Sequence, residues 1–326
     1  MNNSIWVTWE WQRRNHTLSK ALHSELHQLL FNHHWLLRYP VLTFRTLSLY
    51  LKKKPKVIFI QNPSMVLSLL TVLYCRFAGI AVITDAHNAG VFPFDGKKSW
   101  ANYLSKFIMK KSDYYIVTNQ GLADYVQDCG GKPFVLPDPI PDFKEAEIAF
   151  KKLQGERNVF FICSFATDEP YQEVIRSAKY LPENICIYIS GNMEKMDAAS
   201  RNELPKNVFL TGYLPENEYL GMLKNSDVAI DLTTRENCLV CGAYESIAIG
   251  TPLILSDTKA IREYFYKGVV YTDNTSQDIA EKIMYAISNI DKLKKEILDF
   301  SFDIKQIMEK RLLDFNTMTQ KDKIYF

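Results

Sequence analysis

Short apolar runs alternate with helical periodicities from one end of the chain to the other. In the first half, runs rich in Val, Ile, Phe and Tyr predict strands over residues 5–8, 57–60, 81–84, 114–118 and 134–136. Between them, apolar positions recurring every three or four residues predict helices over 18–31, 41–53, 64–77, 100–111 and 121–128. The second half repeats the scheme, with strands at 159–163, 185–190, 208–210, 228–231, 252–255 and 269–271. Helices are expected there over 171–179, 216–223, 242–249 and 278–287. Strands that are apolar throughout suit parallel sheets buried on both faces, so the pattern predicts an α/β chain with doubly wound sheets.

The pattern breaks once. Leu136-Pro-Asp-Pro-Ile-Pro-Asp142 holds three prolines and reads as a stiff linker. It divides the chain into two Rossmann-like domains, 1–140 and 141–300, followed by a C-terminal helical stretch, 301–326. Domains of this kind bind ligands at the carboxyl ends of their strands, which predicts a cleft with the two domains facing each other.

Composition narrows the function. Lys and Arg number 39 against 37 Asp and Glu, a net charge of +2 that excludes a dedicated nucleic-acid binder. No two of the 13 glycines stand as Gly-x-Gly, so the dinucleotide fingerprint is absent. The six cysteines are scattered, mostly in apolar runs, as expected of reduced thiols in a cytoplasmic protein. Met1–Arg14 has no apolar core of a signal peptide, and the longest apolar stretch, Met65 to Cys75, falls short of the ~20 residues a membrane span needs.

Several motifs fail on spacing. His23-Ser-Glu-Leu-His27 has its Glu one place late for a zincin and reads as polar surface. Gly90 to Lys97 has one residue too many for a phosphate loop, and Cys238-Leu-Val-Cys241 lacks a second cysteine pair to complete a zinc site. Neither Gly-x-Ser-x-Gly nor Asp-x-Asp occurs, so neither a hydrolase elbow nor a metal-bridged diphosphate is indicated.

The informative stretch runs from Asp227 to Leu255: a strand, a polar loop, a helix starting near Gly242, then Gly250-Thr-Pro252 and another buried strand. Loop amides at Cys238, Leu239, Val240 and Gly242 with the helix N-terminus form an expected anion site, suited to a diphosphate. Glu245 falls in the expected first turn, where a carboxylate either accepts two sugar hydroxyls or serves only to complement the helix dipole.

At these residues the chain resembles the GT-B glycosyltransferases, especially family 4, whose motif is Glu, seven residues, Glu, then small-x-Gly-x-Pro. Glu245 and Ala248-Ile-Gly250-Thr-Pro252 match; the first Glu position holds Asn237, with Glu236 just upstream. Val208 to Glu216, with Tyr213 and Leu214, resembles the segment that meets the nucleotide base. Ser164 to Pro170, with Thr167, lacks the family's Arg and Lys and is similar to the dolichol-linked chitobiose mannosyltransferases. So is Asp85-Ala-His87-Asn88, at the end of a strand.

The resemblance implies transfer of a sugar from a nucleotide-diphosphate sugar to a saccharide acceptor, lipid-linked and in polysaccharide or O-antigen assembly, with no metal and no cofactor. It implies a final helix, residues 302–316, crossing back to the first domain. His87 and Asp85 are the expected catalytic pair, with Asp85 fixing the His87 tautomer or capping the loop. Glu10 is either a general base or solvated surface, and Arg13, Arg14 and Asn88 are expected to hold the acceptor. The basic, aromatic segments 31–56 and 100–115 suggest a peripheral site on an anionic membrane, although Lys52–Lys54 also suit a solvated helix end. A GT-B epimerase, a phosphorylase and a non-catalytic sugar-nucleotide-binding subunit remain as alternatives.

Overall fold

The structure is a computed structural model; it describes residues 3–31, 35–144, 146–149 and 152–325. Of the expected membrane segment 31–56, Asn32, His33 and His34 lie outside the described residues. The chain forms two compact units, one running to Pro139 and taking up the stretch from Gln306 onward, the other spanning Ile140–Lys305.

The first unit contains, in chain order, β1 (Ser4–Thr8), α1 (Arg13–Ala21), β2 (Glu25–Gln28), α2 (Trp35–Lys53), β3 (Val57–Asn62), α3 (Met65–Ala78), β4 (Ala81–Ala86), α4 (Asn88–Val91), α5 (Ser99–Lys111), β5 (Tyr114–Val117), α6 (Gln120–Asp128) and β6 (Pro133–Val135). All pairings are parallel, in the order β2-β1-β3-β4-β5-β6. The order reverses between β1 and β3, which makes the ends of those strands the switch point. Every residue of β3 is buried: Ile58 and Ile60 pack into one face, Val57 and Phe59 into the other, where Phe59 stacks on Trp6. Burial on both faces is why these strands carry no polar alternation.

The second unit follows with β7 (Arg157–Phe161), α7 (Tyr171–Ser177), β8 (Ile185–Ser190), α8 (Ala198–Asn202), β9 (Val208–Gly212), α9 (Glu216–Asn225), β10 (Val228–Asp231), α10 (Cys241–Ile249), β11 (Leu253–Ser256), α11 (Lys259–Tyr264), β12 (Val269–Thr272), α12 (Ser276–Ser288) and α13 (Ile290–Lys321). Its parallel sheet has the order β12-β11-β10-β7-β8-β9, with the reversal between β7 and β10. Val159, Phe161, Ile187 and Ile230 face one core; Phe160, Tyr188 and Ala229 face the other, which α9, α10 and α11 cover. Ile297, Phe300 and Ile304 of α13 complete that second core, while Met308 and Phe315, farther along the same helix, pack in the first unit beside Tyr114 and Phe134.

One expected helix is cut short. The helix expected over 18–31 holds only for 18–21, the end of α1; the chain then turns at His23 (φ 52°) and Glu25–Gln28 form β2 beside β1. The strand has four residues and a single neighbour, so its own pattern is too short and too polar to separate from a helix face. His23 and His27 therefore share no helix; His27 Nε2 lies 3.3 Å from Glu25 Oε1, near the surface.

Candidate functional site

In the second unit the switch point is built from the loops after β7 and β10. The β7 loop folds around a glutamate. The Glu169 carboxylate accepts the backbone N–H groups of Ser164 (2.8 Å) and Ala166 (2.9 Å) and the Ser164 hydroxyl (2.9 Å). The Cys163 thiol also donates to it at 3.2 Å, and burial, with Glu169 next to it, pushes that thiol well above its ordinary range. Phe165 takes φ 57° to let the loop close, and Thr167 stands exposed at its tip.

Asp168 ties this loop to the next. Its carboxylate accepts the Thr233 hydroxyl at 2.9 Å and pairs with Arg235 Nη1 at 3.2 Å, and its carbonyl accepts the Thr234 N–H at 2.7 Å. From the other side, Ser256 Oγ accepts the Thr233 N–H, and Asn274 Nδ2 donates to the Thr233 carbonyl. The β10 loop is thus held by groups from three strand ends.

The start of α10 departs from expectation. The carboxylate of Asp231, at the end of β10, lies against the start of α10, where the backbone N–H groups of Gly242 and Ala243 favour its charged form. These are the second and third residues of the helix, the donors that a cap ordinarily satisfies. Asp231 lies so close that a Cβ on Gly242 would come within 2.6 Å of its Oδ2, which explains the glycine there. Burial, with Glu169 and Glu245 nearby, pushes the Asp231 carboxyl well above the usual carboxylate range. The expected anion site at this helix start is therefore faced by the protein's own carboxyl group.

Glu245 is the fifth residue of α10 and lies in its second turn, not its first, because the helix begins at Cys241. Its Oε2 accepts the Tyr219 hydroxyl at 2.5 Å, and Tyr219 is held edge-on by Phe160, 5.6 Å away. Gly250, left-handed at φ 86°, ends the helix. Glu236 is exposed, Asn237 and Cys238 are half-buried, and burial pushes the Cys238 thiol up to about 11. Leu239 and Val240 are buried in the core, so only their backbone can reach a ligand. Tyr213 is almost fully exposed, while Leu214 packs on the same core.

The first unit handles its charges differently. Arg14 is buried, with Nε and Nη2 on the Asp85 carboxylate (2.7–3.0 Å), Nη1 on Asp138 at 2.7 Å and Nη2 also on the Leu136 carbonyl. Burial alone would lower the Arg14 pKa, but Asp85 and Asp138 outweigh it and raise it. Burial alone would raise the Asp138 pKa, but Arg14 and His87 outweigh it and pull that carboxyl below its ordinary range. Two expectations are corrected here. Arg14 is spent inside the fold rather than offered to an acceptor, and Asp85 holds Arg14 rather than the His87 tautomer.

His87 precedes α4 and is half-buried; among the described residues, no hydrogen bond reaches its imidazole. Asn88 opens α4, and Arg13 opens α1, both half-buried. Glu10 lies 3.5 Å from Arg38 with its side chain 45% exposed, a surface pair. At the β1/β3 switch point sits a polar cluster that sequence reasoning missed. Gln61 Oε1 accepts from the Thr8 hydroxyl (2.5 Å) and Asn15 Nδ2 (2.8 Å), and Trp6 Nε1 donates to Asn15 Oδ1. Asp138, Asp231 and Glu169 were missed for the same reason, since each acts on a partner distant in sequence or hidden in a loop.

Among the described residues, no three His, Cys, Asp or Glu side chains are grouped to hold a metal ion, and no helix is long and apolar enough to cross a membrane.

Residues 142–297, most of the second unit, match the family model of glycosyl transferases group 1. No curated protein matches the chain. Among solved structures, the chain is similar to Anabaena HepE in complex with UDP and glucose (TM-score 0.71, 11% identity, 99% of each chain covered). It is similar to sucrose-phosphate synthase from Thermosynechococcus elongatus (TM-score 0.70, 12% identity, covering 92% of this chain and 83% of that one). It is also similar to the lipopolysaccharide outer core galactosyltransferase WaaB (TM-score 0.65, 14% identity, 98% and 99% covered). The chain has the GT-B fold of two Rossmann-like units, and the match to the glycosyl transferases group 1 model falls within its second unit.

Proposed function

We propose that the protein transfers a sugar from a nucleoside diphosphate sugar, held on the second unit, to a saccharide acceptor, with residues of the first unit serving the acceptor. The observation that carries this reading is Glu245 on α10, beside the β7/β10 switch point and inside the region that matches the group 1 model. Its carboxylate already accepts one hydroxyl, from Tyr219, and the same geometry suits the hydroxyls of a sugar. HepE, bound to UDP and glucose, supports a nucleoside diphosphate donor.

Catalysis on this reading comes from positioning and from stabilising the departing diphosphate, without a metal. His87, whose imidazole has no hydrogen-bond partner among the described residues, is available to donate to a sugar hydroxyl or phosphate oxygen. Asn88 and Arg13 stay in the proposal as acceptor contacts, and Glu236, Asn237 and the backbone of residues 238–240 as donor contacts. The likeness of residues 85–90 and 164–170 to dolichol-linked mannosyltransferases, together with WaaB, supports a lipid-linked acceptor in cell-surface polysaccharide assembly. A peripheral position on an anionic membrane is supported by α2, α3 and α5, which expose Phe44, Leu51, Leu73, Phe77, Trp100 and Tyr103 among Arg38, Arg45, Lys52 and Lys106.

The test is a thermal-shift and turnover panel of UDP-, GDP-, ADP- and dTDP-sugars. A donor raises the melting temperature because it binds the folded state. Glu245→Ala is expected to weaken that donor's binding about 10- to 100-fold, since charged hydrogen bonds contribute ~1.5–3 kcal/mol. His87→Ala lowers turnover more than affinity. No stabilisation by any nucleotide sugar, or a Glu245→Ala variant that binds and turns over normally, removes the reading. Epimerised nucleotide sugar or phosphate-dependent release as the product replaces it with the alternative chemistry.

A further inference from the structure

We infer that Arg235 provides the positive charge that receives the nucleoside diphosphate, leaving Asp168 to do so. This rests on the reading just proposed and adds a residue and a role to it. A diphosphate carries at least two negative charges, and the strand ends around the β7/β10 switch point are already acidic. Asp168, Glu169, Asp231, Glu236 and Glu245 all lie on or beside the two loops.

Part of the backbone's capacity to bind an anion there is already used. Glu169 takes the Ser164 and Ala166 amides of the β7 loop, and the Asp231 carboxyl lies against the start of α10 beside Gly242. The amides of residues 238–240 carry no net charge, so a side-chain cation adds what the backbone lacks. Across residues 162–170 and 232–241, Arg235 is the only Lys or Arg.

Its position is built. Thr233 Oγ1 accepts the Arg235 N–H at 3.2 Å while donating to Asp168, and Asp168 joins the two loops through Thr233, Thr234 and Arg235. The guanidinium reaches Asp168 at 3.2 Å, and its side chain is 34% exposed while that of Asp168 is 14% exposed. In the free protein the ion pair keeps Arg235 at the switch point. On binding, the planar fork turns from a carboxylate to phosphate oxygens, the anion geometry it fits best.

The experiment uses the full-length protein and isothermal titration with UDP, GDP and ADP, each against its own nucleoside. Arg235→Gln is expected to weaken the best nucleoside diphosphate about 10- to 100-fold, the range of a charged hydrogen bond, and to leave the nucleoside within about twofold. Arg235→Lys restores part of the loss, which separates charge from folding, and the salt dependence of diphosphate binding falls in the Gln variant. Equal losses for diphosphate and nucleoside, or diphosphate binding unchanged in the Gln variant, overturn the role of Arg235 alone. A wild-type protein that binds no nucleoside diphosphate overturns the glycosyltransferase reading, and this inference with it.

Discussion

The two units share one plan, a parallel sheet with a switch point where the strand order reverses, yet they treat charge there in opposite ways. In the first unit, Arg14 lies between Asp85 and Asp138 with its guanidinium buried, so the charges close on one another inside the fold. In the second unit, carboxylates gather with no buried cation among the described residues: Asp231 lies against the start of a helix, Glu169 fills a loop, and Arg235 is left partly exposed. A closed ion pair makes a scaffold. A surplus of carboxylates around one half-exposed arginine makes an edge whose electrostatics are completed only by a ligand.

The largest expected effect follows from the closed pair. Arg14→Ala strands the buried Asp85 carboxylate and the largely covered Asp138, and breaking a buried pair costs about 3–5 kcal/mol. Urea unfolding followed by a first-unit tryptophan should show that loss, and a cost under about 1 kcal/mol would end the contrast between the units. Asp138 adds a pH signature: its pKa is lowered on folding, so its contribution is present above the unfolded value of ~3.9 and fades as pH falls toward the folded one.

A smaller effect, of opposite sign, belongs to Asp231. Its pKa is raised on folding, so the folded state is favoured below the unfolded value of ~3.9 and is progressively penalised as pH rises toward the folded pKa. Asp231→Asn keeps an oxygen for the Gly242 and Ala243 amides and removes the charge. Its melting temperature should exceed that of the wild type at pH 7 to 8, with the gap narrowing toward pH 4. A variant less stable than the wild type at neutral pH would mean that the charge itself holds α10.

The smallest expected effect concerns the outer helices. Helices α2 and α5 carry both exposed apolar side chains, such as Phe44 and Tyr103, and the basic residues Arg45, Lys52 and Lys106. Co-sedimentation with anionic vesicles, weak and reversed by salt, is expected, because screening acts over ~8 Å at physiological ionic strength. Equal binding to neutral vesicles would reduce Lys52–Lys54 to a solvated face.

Much of the architecture was legible because it is a local matter. A run such as Val57–Ile60 is apolar at every position because both faces of its strand are covered, and that requirement is written into consecutive residues. The Gly250 that ends α10 was legible for a similar reason, since it lies at that helix's own cap, whereas the placement of Glu245 in the first turn was not. β2 was not, because four residues at a sheet edge carry too little pattern.

What the sequence determined by itself was the α/β alternation, the parallel sheets and the helix that ends at Gly250, all set by burial and periodicity over short spans. What the tertiary structure alone decided was the employment of the charges. Arg14 meets Asp85 and Asp138 across 71 and 124 residues, and Asp231 reaches the α10 amides only because β10 ends beneath that helix. A charged residue states in the sequence that it needs a partner, but not which one. The partner is chosen by which strand ends the sheet brings together, and the low dielectric there makes the choice decisive.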